Sequence, residues 1–326
     1  MDAEDSQQVE GREPFDAGML RHGLVQALGL ARLDHVDTTG STNADLLAAL
    51  GSEDGRGRTE FPDLSVLIAD HQSTGRGRLD RHWEAPPRAA LALSIVLRPV
   101  NAQGRPLPTD SYSWFSLLAA EAWCLALEDI CGVHAGVKWP NDLLLGERKL
   151  AGILAQLHFP ADGQPPVVVL GTGVNVSLTA EELPVPTATS LLLAGARPLD
   201  RTALVAAYLR RFVQLYRHYC NSDGDPDAGL AGGASLHHRL TQSTVTPRPD
   251  CEGVPPGRPR GHRACGTPRS PRLPGAAHRG RPGAHGHGGG RRAPAPARTR
   301  RRRRLCVRPC FRGNSSSAPP GPRPAV

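Results

Sequence analysis

Apolar positions recur along residues 16–225 at two spacings, one typical of helices and one typical of strands. The polar turn at 37–43 is rich in Ser, Thr and Asn, which begin helices well, and Leu46, Leu47 and Leu50 behind it supply an apolar face. We therefore predict a short helix after this turn. Longer helical patterns occupy residues 16–34, ending near Gly29, residues 112–130 and residues 202–219.

Aliphatic runs of strand length lie between these helices. Gly146, Glu147 and Arg148 connect one such run to the next and predict a hairpin. Hairpins interleaved with helices are typical of a mixed β-sheet with helices packed on it, so we predict the α+β class rather than a regular βαβ array. The predicted strands are 64–69, 90–97, 137–139, 143–145, 150–157 and 166–176.

Charge divides the chain into two parts. Residues 1–250 carry 21 Lys and Arg against 30 Asp and Glu, whereas residues 251–326 carry 18 Arg, no Lys and one acid. The net charge of +8 therefore comes from the C-terminal part. Because the part with helix and strand patterns is acidic, we do not expect nucleic acid to be its partner.

The C-terminal part has the composition of a disordered segment, since Pro and Gly make up 27 of its 76 residues. We predict a disordered N-terminus at 1–15, one folded domain at 16–225 and a low-complexity Arg/Pro/Gly tail at 226–326. Our hypothesis is that the tail is translated out of frame, because a GC-rich gene read in a wrong frame gives this composition. The alternative is a genuine basic arm that binds nucleic acid.

The seven cysteines include no CxxC pair, so they imply neither a disulfide framework nor a zinc site. The first 14 residues lack the apolar core of a signal peptide. No apolar run reaches the roughly 18 residues that cross a bilayer. We therefore expect a cytoplasmic protein without membrane contact.

The strongest local motif is GRGRLDRHW at 75–83, preceded by Gln72. Its two glycines permit a close approach to a ligand, and its first two arginines can both face a polyanion. Trp83 offers an apolar lid or a stacking surface. Phosphate is the predicted ligand, and a solvated, flexible arginine loop is the alternative.

The second motif is KWPND at 138–142. The chain has two lysines, Lys138 and Lys149, against 37 arginines. A lysine retained between Val and Trp in such a sequence is expected to supply a compact ammonium to a buried anion, and snorkelling from a strand edge is the alternative. Asn141 and Asp142 lie at a turn after the proline, where they could hold backbone, ligand hydroxyls or hydrated Mg²⁺. Asp142 is equally well explained as a turn former.

Glycines interrupt two predicted strands, Gly152 in KLAGI at 149–153 and Gly171 with Gly173 in GTGVNV at 171–176. A glycine inside a strand indicates that another group approaches the backbone closely. GTGVNV lacks both the GxGxxG spacing and the following helix of dinucleotide-binding folds, which argues against such a fold.

Taken in order, these motifs resemble the motif series of the biotin-protein ligases, a family with an α+β catalytic domain. The series consists of STN at 41–43, Gln72 with 75–83, 138–142, 149–153 and 171–176, and the resemblance covers about residues 35–220. Some family members carry an N-terminal winged helix-turn-helix, for which the residues before Ser41 are too few, so we expect a monofunctional enzyme. Others end in a small SH3-like β-barrel, which the predicted tail would replace.

The resemblance also implies residue roles, with Lys138, Arg76 and Arg78 expected to be catalytic. Biotin contacts are implied for Ser41, Thr42, Asn43, Gln72, Arg76, Gly77, Arg78, Lys138 and Gly152. Contacts to ATP or the adenylate are implied for Gly75, Arg76, Arg78, Arg81, Trp83, Asn141, Lys149 and Asn175.

The implied reaction activates biotin with ATP and Mg²⁺ to biotinyl-5′-AMP. The biotinyl group then passes to a lysine of a biotin carboxyl carrier domain of an acyl-CoA or pyruvate carboxylase. Cationic side chains suit this chemistry because they offset the repulsion between a carboxylate and ATP. A homodimer is compatible with the sequence.

Two other functions stay open from the sequence. One is a lipoate or octanoate ligase or transferase of related fold, which also modifies lysine. The other is a non-catalytic binding protein with a nucleic-acid-binding basic tail.

Overall fold

A computed structural model of the chain describes residues 10–52, 60–79, 81–229 and 233–244, all within one compact unit. The helices are α1 (Ala17–Leu20), α2 (Gln26–Leu28), α3 (Thr42–Leu50), α4 (Phe115–Cys131), α5 (Arg201–Asn221) and α6 (Leu236–Ser243). A π-helical turn (Arg21–Val25) joins α1 to α2, and a 3₁₀ helix (Thr109–Trp114) precedes α4. The strands are β1 (Arg32–Thr39), β2 (Ser65–Gln72), β3 (Gly75–Arg76), β4 (His82–Trp83), β5 (Ala90–Leu97), β6 (Gly136–Lys138), β7 (Asp142–Leu145), β8 (Arg148–His158) and β9 (Val167–Asn175).

Seven strands form one mixed sheet in the order β1-β2-β5-β9-β8-β7-β6. The pair β1 and β2 is parallel, with α3 in the connection between them, and the other pairs are antiparallel. Strands β3 and β4 form a separate two-stranded hairpin. The predicted α+β class is confirmed.

Helices cover both faces of the sheet because its central strands are apolar on both. On one face, Leu46 of α3 packs with Leu67, Val96 and Val169. On the other face, α4 and α5 pack against each other and against the sheet. There the buried rings of Trp123 and Tyr208 stack with centroids 4.3 Å apart. Burial of such large aromatic side chains supplies much of the hydrophobic stabilisation of a core.

The predicted helices and strands are present, and helix α2 ends at Gly29 in the left-handed conformation. Strand β1 was not predicted. Its sequence, RLDHVDTT, shows no alternation of apolar and polar residues, and Leu33 is its one buried residue. Hydrogen bonding to β2 makes it a strand, and it takes in the start of the predicted polar turn at 37–43.

The prediction of disorder for residues 1–15 is wrong for residues 10–15. Arg12 donates from Nη2 to the carbonyl oxygen of Ser177 at 3.1 Å. Phe15 is buried, and the guanidinium carbon of Arg201 lies 4.2 Å from the centroid of its ring. Contacts with sequence-distant residues therefore order this segment. Residues 1–9 lie outside the described residues.

The predicted domain end at residue 225 is too early, because α6 packs onto the same body. Leu236 and Leu240 of α6 are buried in the main core. Arg239 places Nη1 3.6 Å from Oε1 of Glu121, a buried residue of α4. Burial raises the pKa of the Glu121 carboxyl, and Arg239 opposes that shift. The predicted disorder and frameshift of the later tail lie outside the described residues.

Among the described residues, no helix has both the length and the apolar character needed to cross a membrane.

If α6 belongs to the core, Leu240→Ala should lower the free energy of unfolding by about 2–5 kcal/mol, because it leaves a cavity. Gln242→Ala, which changes an exposed residue of the same helix, is the matched control and should shift it by no more than about 0.5 kcal/mol. Urea unfolding followed by circular dichroism measures both. Equal effects of the two variants would contradict the packing described here.

Candidate active site

A cavity of about 420 Å³ opens where the start of α3, the end of β2, the β3–β4 hairpin and strands β7 to β9 meet. Its wall combines polar side chains, arginines, one tryptophan from each of two motifs and glycine backbone. The lining residues are Ser41, Thr42, Asn43, Gln72, Arg76, Gly77, Arg78, Leu79, Arg81, His82, Trp83, Trp139, Pro140, Asn141, Asp142, Lys149, Gly152, Ile153, Leu154, Gly171, Thr172 and Gly173.

The first turn of α3 fixes the side chain of Gln72. Ser41 is the N-cap of the helix, in extended conformation, and its Oγ accepts from the backbone N–H of Ala44 at 3.5 Å. The backbone N–H of Thr42 donates to Gln72 Oε1 at 2.9 Å, and the Thr42 hydroxyl lies 3.0 Å from the same oxygen. The helix start predicted from Ser, Thr and Asn is thus confirmed, and it binds to the end of β2.

Asn43 uses its amide group to hold three elements together. Nδ2 donates to the carbonyl oxygen of Leu154 at 3.2 Å and to Oε1 of Gln156 at 2.8 Å, both on β8. Oδ1 lies 2.6 Å from Oγ of Ser94 on β5. Because both amide hydrogens are engaged, Asn43 acts mainly as a positioning residue for the cavity wall.

The glycines of β8 and β9 provide room for protein side chains that cross the sheet. A Cβ added at Gly171 would overlap Oδ1 of Asn43. A Cβ added at Gly173 would lie 2.5 Å from the indole of Trp83, and one at Gly152 would lie 3.4 Å from the same ring. The close approach predicted from these glycines is confirmed, and the approaching groups are Asn43 and Trp83.

Two cations reach the turn of the KWPND motif from different directions. Lys149 places Nζ 2.7 Å from Oδ1 of Asp142. Arg78 of the hairpin loop donates from Nη1 to Oδ1 of Asn141 at 3.1 Å. Nδ2 of Asn141 in turn donates to the carbonyl oxygen of Ile153 at 3.0 Å. Positive side chains from the hairpin loop and from β8 thus converge on one side of the cavity.

The backbone of Lys149 is held on both sides. Its N–H donates to the carbonyl oxygen of Thr187 at 2.8 Å, and its carbonyl oxygen accepts from the N–H of Thr189 at 2.8 Å. The Lys149 side chain passes over Gly152, where an added Cβ would lie 3.4 Å from Nζ. The ammonium is therefore directed across the strand and into the cavity.

Three of the predicted site residues do not line the cavity. Lys138 is exposed on the edge strand β6, where its register partner is Asp142. Residues paired directly across antiparallel strands face the same side of the sheet, so Lys138 lies on the cavity side but beyond its wall. Gly75 is buried beneath the backbone of Trp83, and Asn175 donates to the carbonyl oxygen of Thr189 at 2.9 Å.

The other predicted residues do line the cavity: Ser41, Thr42, Asn43, Gln72, Arg76, Gly77, Arg78, Arg81, Trp83, Asn141, Asp142, Lys149 and Gly152. Leu79, His82 and Thr172 also line the cavity and are not among the predicted site residues. The sequence interpretation also missed Ser94, which lies behind the wall and holds Asn43. The signal for Ser94 was available, because it is the one polar residue in the strand ALALSIVL.

Known proteins are similar to this chain in sequence. The sequence profile of the Biotin/lipoate A/B protein ligase family matches residues 46–175. The chain is 41% identical over 203 residues to a biotin–[acetyl-CoA-carboxylase] ligase of Mycobacterium tuberculosis, covering 61% of this chain and 70% of that protein. It is 34% identical over 175 residues to the bifunctional ligase/repressor BirA of Escherichia coli, covering 52% of this chain and 49% of that protein.

A solved structure has the same fold. The crystal structure of a Leishmania major biotin protein ligase in complex with biotin matches with a TM-score of 0.50 and 16% identity. The match covers 69% of this chain and 86% of that chain.

The fold and the motif-lined cavity define a cofactor–protein ligase, and the chain belongs to the biotin/lipoate A/B protein ligase family. Within this family, the relatives of the chain include biotin–[acetyl-CoA-carboxylase] ligases.

Gly171→Ala should lower the free energy of unfolding by about 1–3 kcal/mol, because the added methyl group must displace Asn43 or the strand. Gly23→Ala is the matched control, since nothing lies within 4 Å of a Cβ at that exposed position. Thermal and urea unfolding of both variants check this. A Gly171→Ala protein as stable as the wild type would show that Asn43 does not occupy the described position.

Proposed function

We propose that this protein is a biotin-protein ligase. It condenses biotin with ATP to form biotinyl-5′-AMP and then transfers the biotinyl group to a lysine of a biotin carboxyl carrier domain. The observation that carries the proposal is the cavity itself. Its wall contains a polar helix start and Gln72 as well as the cations Lys149 and Arg78. The chain also belongs to a family of cofactor–protein ligases.

The polar side of the cavity suits the ureido ring of biotin. The helix start supplies the hydroxyl groups of Ser41 and Thr42, and the N–H of Thr42 holds the side chain of Gln72 beside them. Short polar groups that are fixed in place give a small ligand its orientation and specificity. The indole of Trp83, which lines the cavity, suits the apolar parts of the ligand.

The first chemical step joins two anions. A carboxylate oxygen of biotin forms a bond to the α-phosphorus of ATP, and the bond from that phosphorus to pyrophosphate breaks. Two like unit charges 4 Å apart repel by about 4 kcal/mol near a protein surface. Lys149, Arg76 and Arg78 line the cavity and can offset this repulsion and stabilise the charge that develops on the phosphoryl oxygens.

The second step is attack by the ε-amine of the carrier lysine on the biotinyl carbonyl carbon. An amide bond forms, the bond to the phosphate oxygen breaks, and AMP leaves while the amine loses a proton. The anhydride must be protected from water until the carrier arrives. The hairpin loop, with Arg78 bonded to Asn141 across the cavity, is positioned to exclude water.

Mg²⁺ would bind together with the nucleotide, because in nucleotide sites this ion is held largely by the substrate phosphates. Asp142 is the acidic residue among the described lining residues, and its Oδ1 faces the Lys149 ammonium at 2.7 Å. This arrangement does not fit a dedicated protein site for the ion. We therefore assign Asp142 to holding Lys149 rather than Mg²⁺.

The carrier is proposed to belong to an acyl-CoA or pyruvate carboxylase, and the compartment to be the cytoplasm. A homodimer is also compatible with the sequence. These finer assignments stay predictions.

The position of the two lysines leads to a test that separates them. Lys149→Ala should reduce kcat for biotin-dependent pyrophosphate release by about 10²- to 10³-fold, because it removes a preorganised cation from the cavity. Lys138→Ala should reduce it by less than about tenfold, since an exposed charge contributes roughly 1 kcal/mol or less.

Arg148→Ala, which removes an exposed cation next to Lys149, is the matched control and should retain the wild-type rate. Loss of activity in Lys138→Ala with full activity in Lys149→Ala would reverse our assignment and restore the role first inferred for Lys138.

Labelling a carrier domain distinguishes biotin from lipoate. The full chain, ATP and a biotin carboxyl carrier domain should give a mass increase of one biotinyl group with biotin and none with lipoate or octanoate. Labelling with lipoate instead would identify the related ligase. Pyrophosphate release without carrier labelling would support the adenylation step but contradict transfer of the biotinyl group by this chain.

A further inference from the structure

A polar cluster lies at the β1–β2 edge of the sheet, outside the cavity wall. It consists of His35 and Asp37 on β1 and Asp70 on β2, and one ligand atom from each lies within 4.8 Å of the others. His35 and Asp37 share a face because they are two residues apart on a strand. Among the described residues, this is the one group of three or more such side chains with this proximity.

Two atoms of the cluster are buried without a hydrogen bond. Nε2 of His35 and Oδ2 of Asp70 lie 3.4 Å apart, within ion-pair distance for a protonated imidazole, but neither atom makes a hydrogen bond. The side chain of Asp70 is 3% exposed. Native proteins satisfy nearly all buried polar atoms, and a single ion or water molecule bound between these two atoms would satisfy both.

The separation of these atoms suits a metal ion. Zinc binds histidine nitrogen and carboxylate oxygen at about 2.0–2.1 Å in a tetrahedral arrangement, which puts neighbouring ligand atoms about 3.3 Å apart. The observed 3.4 Å matches that value. The carboxylate of Asp37 is exposed and can approach by a change of rotamer.

The other oxygen of Asp70 is already oriented. Nη2 of Arg201 lies 2.6 Å from Oδ1, and its side chain is 2% exposed. Metal-binding carboxylates in proteins are commonly hydrogen-bonded in this way, which fixes the oxygen that faces the ion. Nε of Arg88 lies 3.6 Å from Oδ2, but that side chain is 42% exposed and can turn towards solvent.

We propose that His35, Asp37 and Asp70 form a binding site for a divalent transition metal ion of the zinc type. The site joins the edge strand β1 to β2, two residues before Gln72. An ion there would satisfy both buried atoms at once. It would also stabilise the strand whose sequence alone predicts no strand.

Zinc binding to the full chain tests the proposal. Isothermal titration with ZnCl₂ should show one site that weakens at least about tenfold in His35→Gln and in Asp37→Asn. Zinc should raise the unfolding midpoint of the wild type and not that of His35→Gln. Asp37→Asn changes an exposed residue, so it tests the site even if His35→Gln fails to fold.

Two controls separate this site from adventitious binding. His134→Gln alters a histidine whose side chain is 79% exposed and should leave the titration unchanged. A double variant of His285 and His287 to Gln tests the tail histidines and should also keep the site. Wild-type zinc binding equal to that of His35→Gln and Asp37→Asn, or none at all, would overturn the proposal and assign the two buried atoms to a bridging water.

Discussion

The site depends on side chains that pack directly against the backbone of glycine residues in the sheet. Gly171 and Gly173 have no Cβ, so Asn43 can reach β9 and the indole of Trp83 can pack against it. Each contact connects a different element to the sheet, α3 in one case and the β3–β4 hairpin in the other. Because packed interiors do not adjust to an added methyl group without cost, these glycines fix the width of the cavity.

The charges of the site are arranged around this rigid wall. The hairpin carries its arginines from one side, and β8 carries Lys149 from the other, so the cations meet near Asn141 and Asp142. Asp142 pairs with the ammonium of Lys149. Lys149 and Arg78 can leave Asp142 and Asn141 and turn to a bound polyanion by side-chain rotation alone. The backbone of the strands can therefore stay in place when such a ligand binds.

The periphery of the domain is held by contacts between residues far apart in sequence. Arg201 at the start of α5 reaches the carbonyl oxygen of Glu13, Oδ1 of Asp70 and the ring of Phe15. At the other end of the chain, α6 buries Leu236 and Leu240 against α4. The N-terminal segment lacks the apolar spacing of the central elements, and α6 is only eight residues long. Their order comes from contacts with residues far away in sequence.

The sequence by itself determined the α+β class, the long helices, the central strands and the motifs that surround the cavity. Apolar spacing and glycine positions are local properties, and local properties can be read directly from the chain. Only the tertiary structure decided that β1 is a strand and that α6 belongs to the core. It also decided that Lys149 rather than Lys138 lines the cavity. Each of these features depends on which residues meet across the fold. The two lysines, eleven positions apart, cannot be distinguished by residue type alone. The register of the β6–β7–β8 strands places Lys149 in the cavity wall and Lys138 at the edge of the sheet.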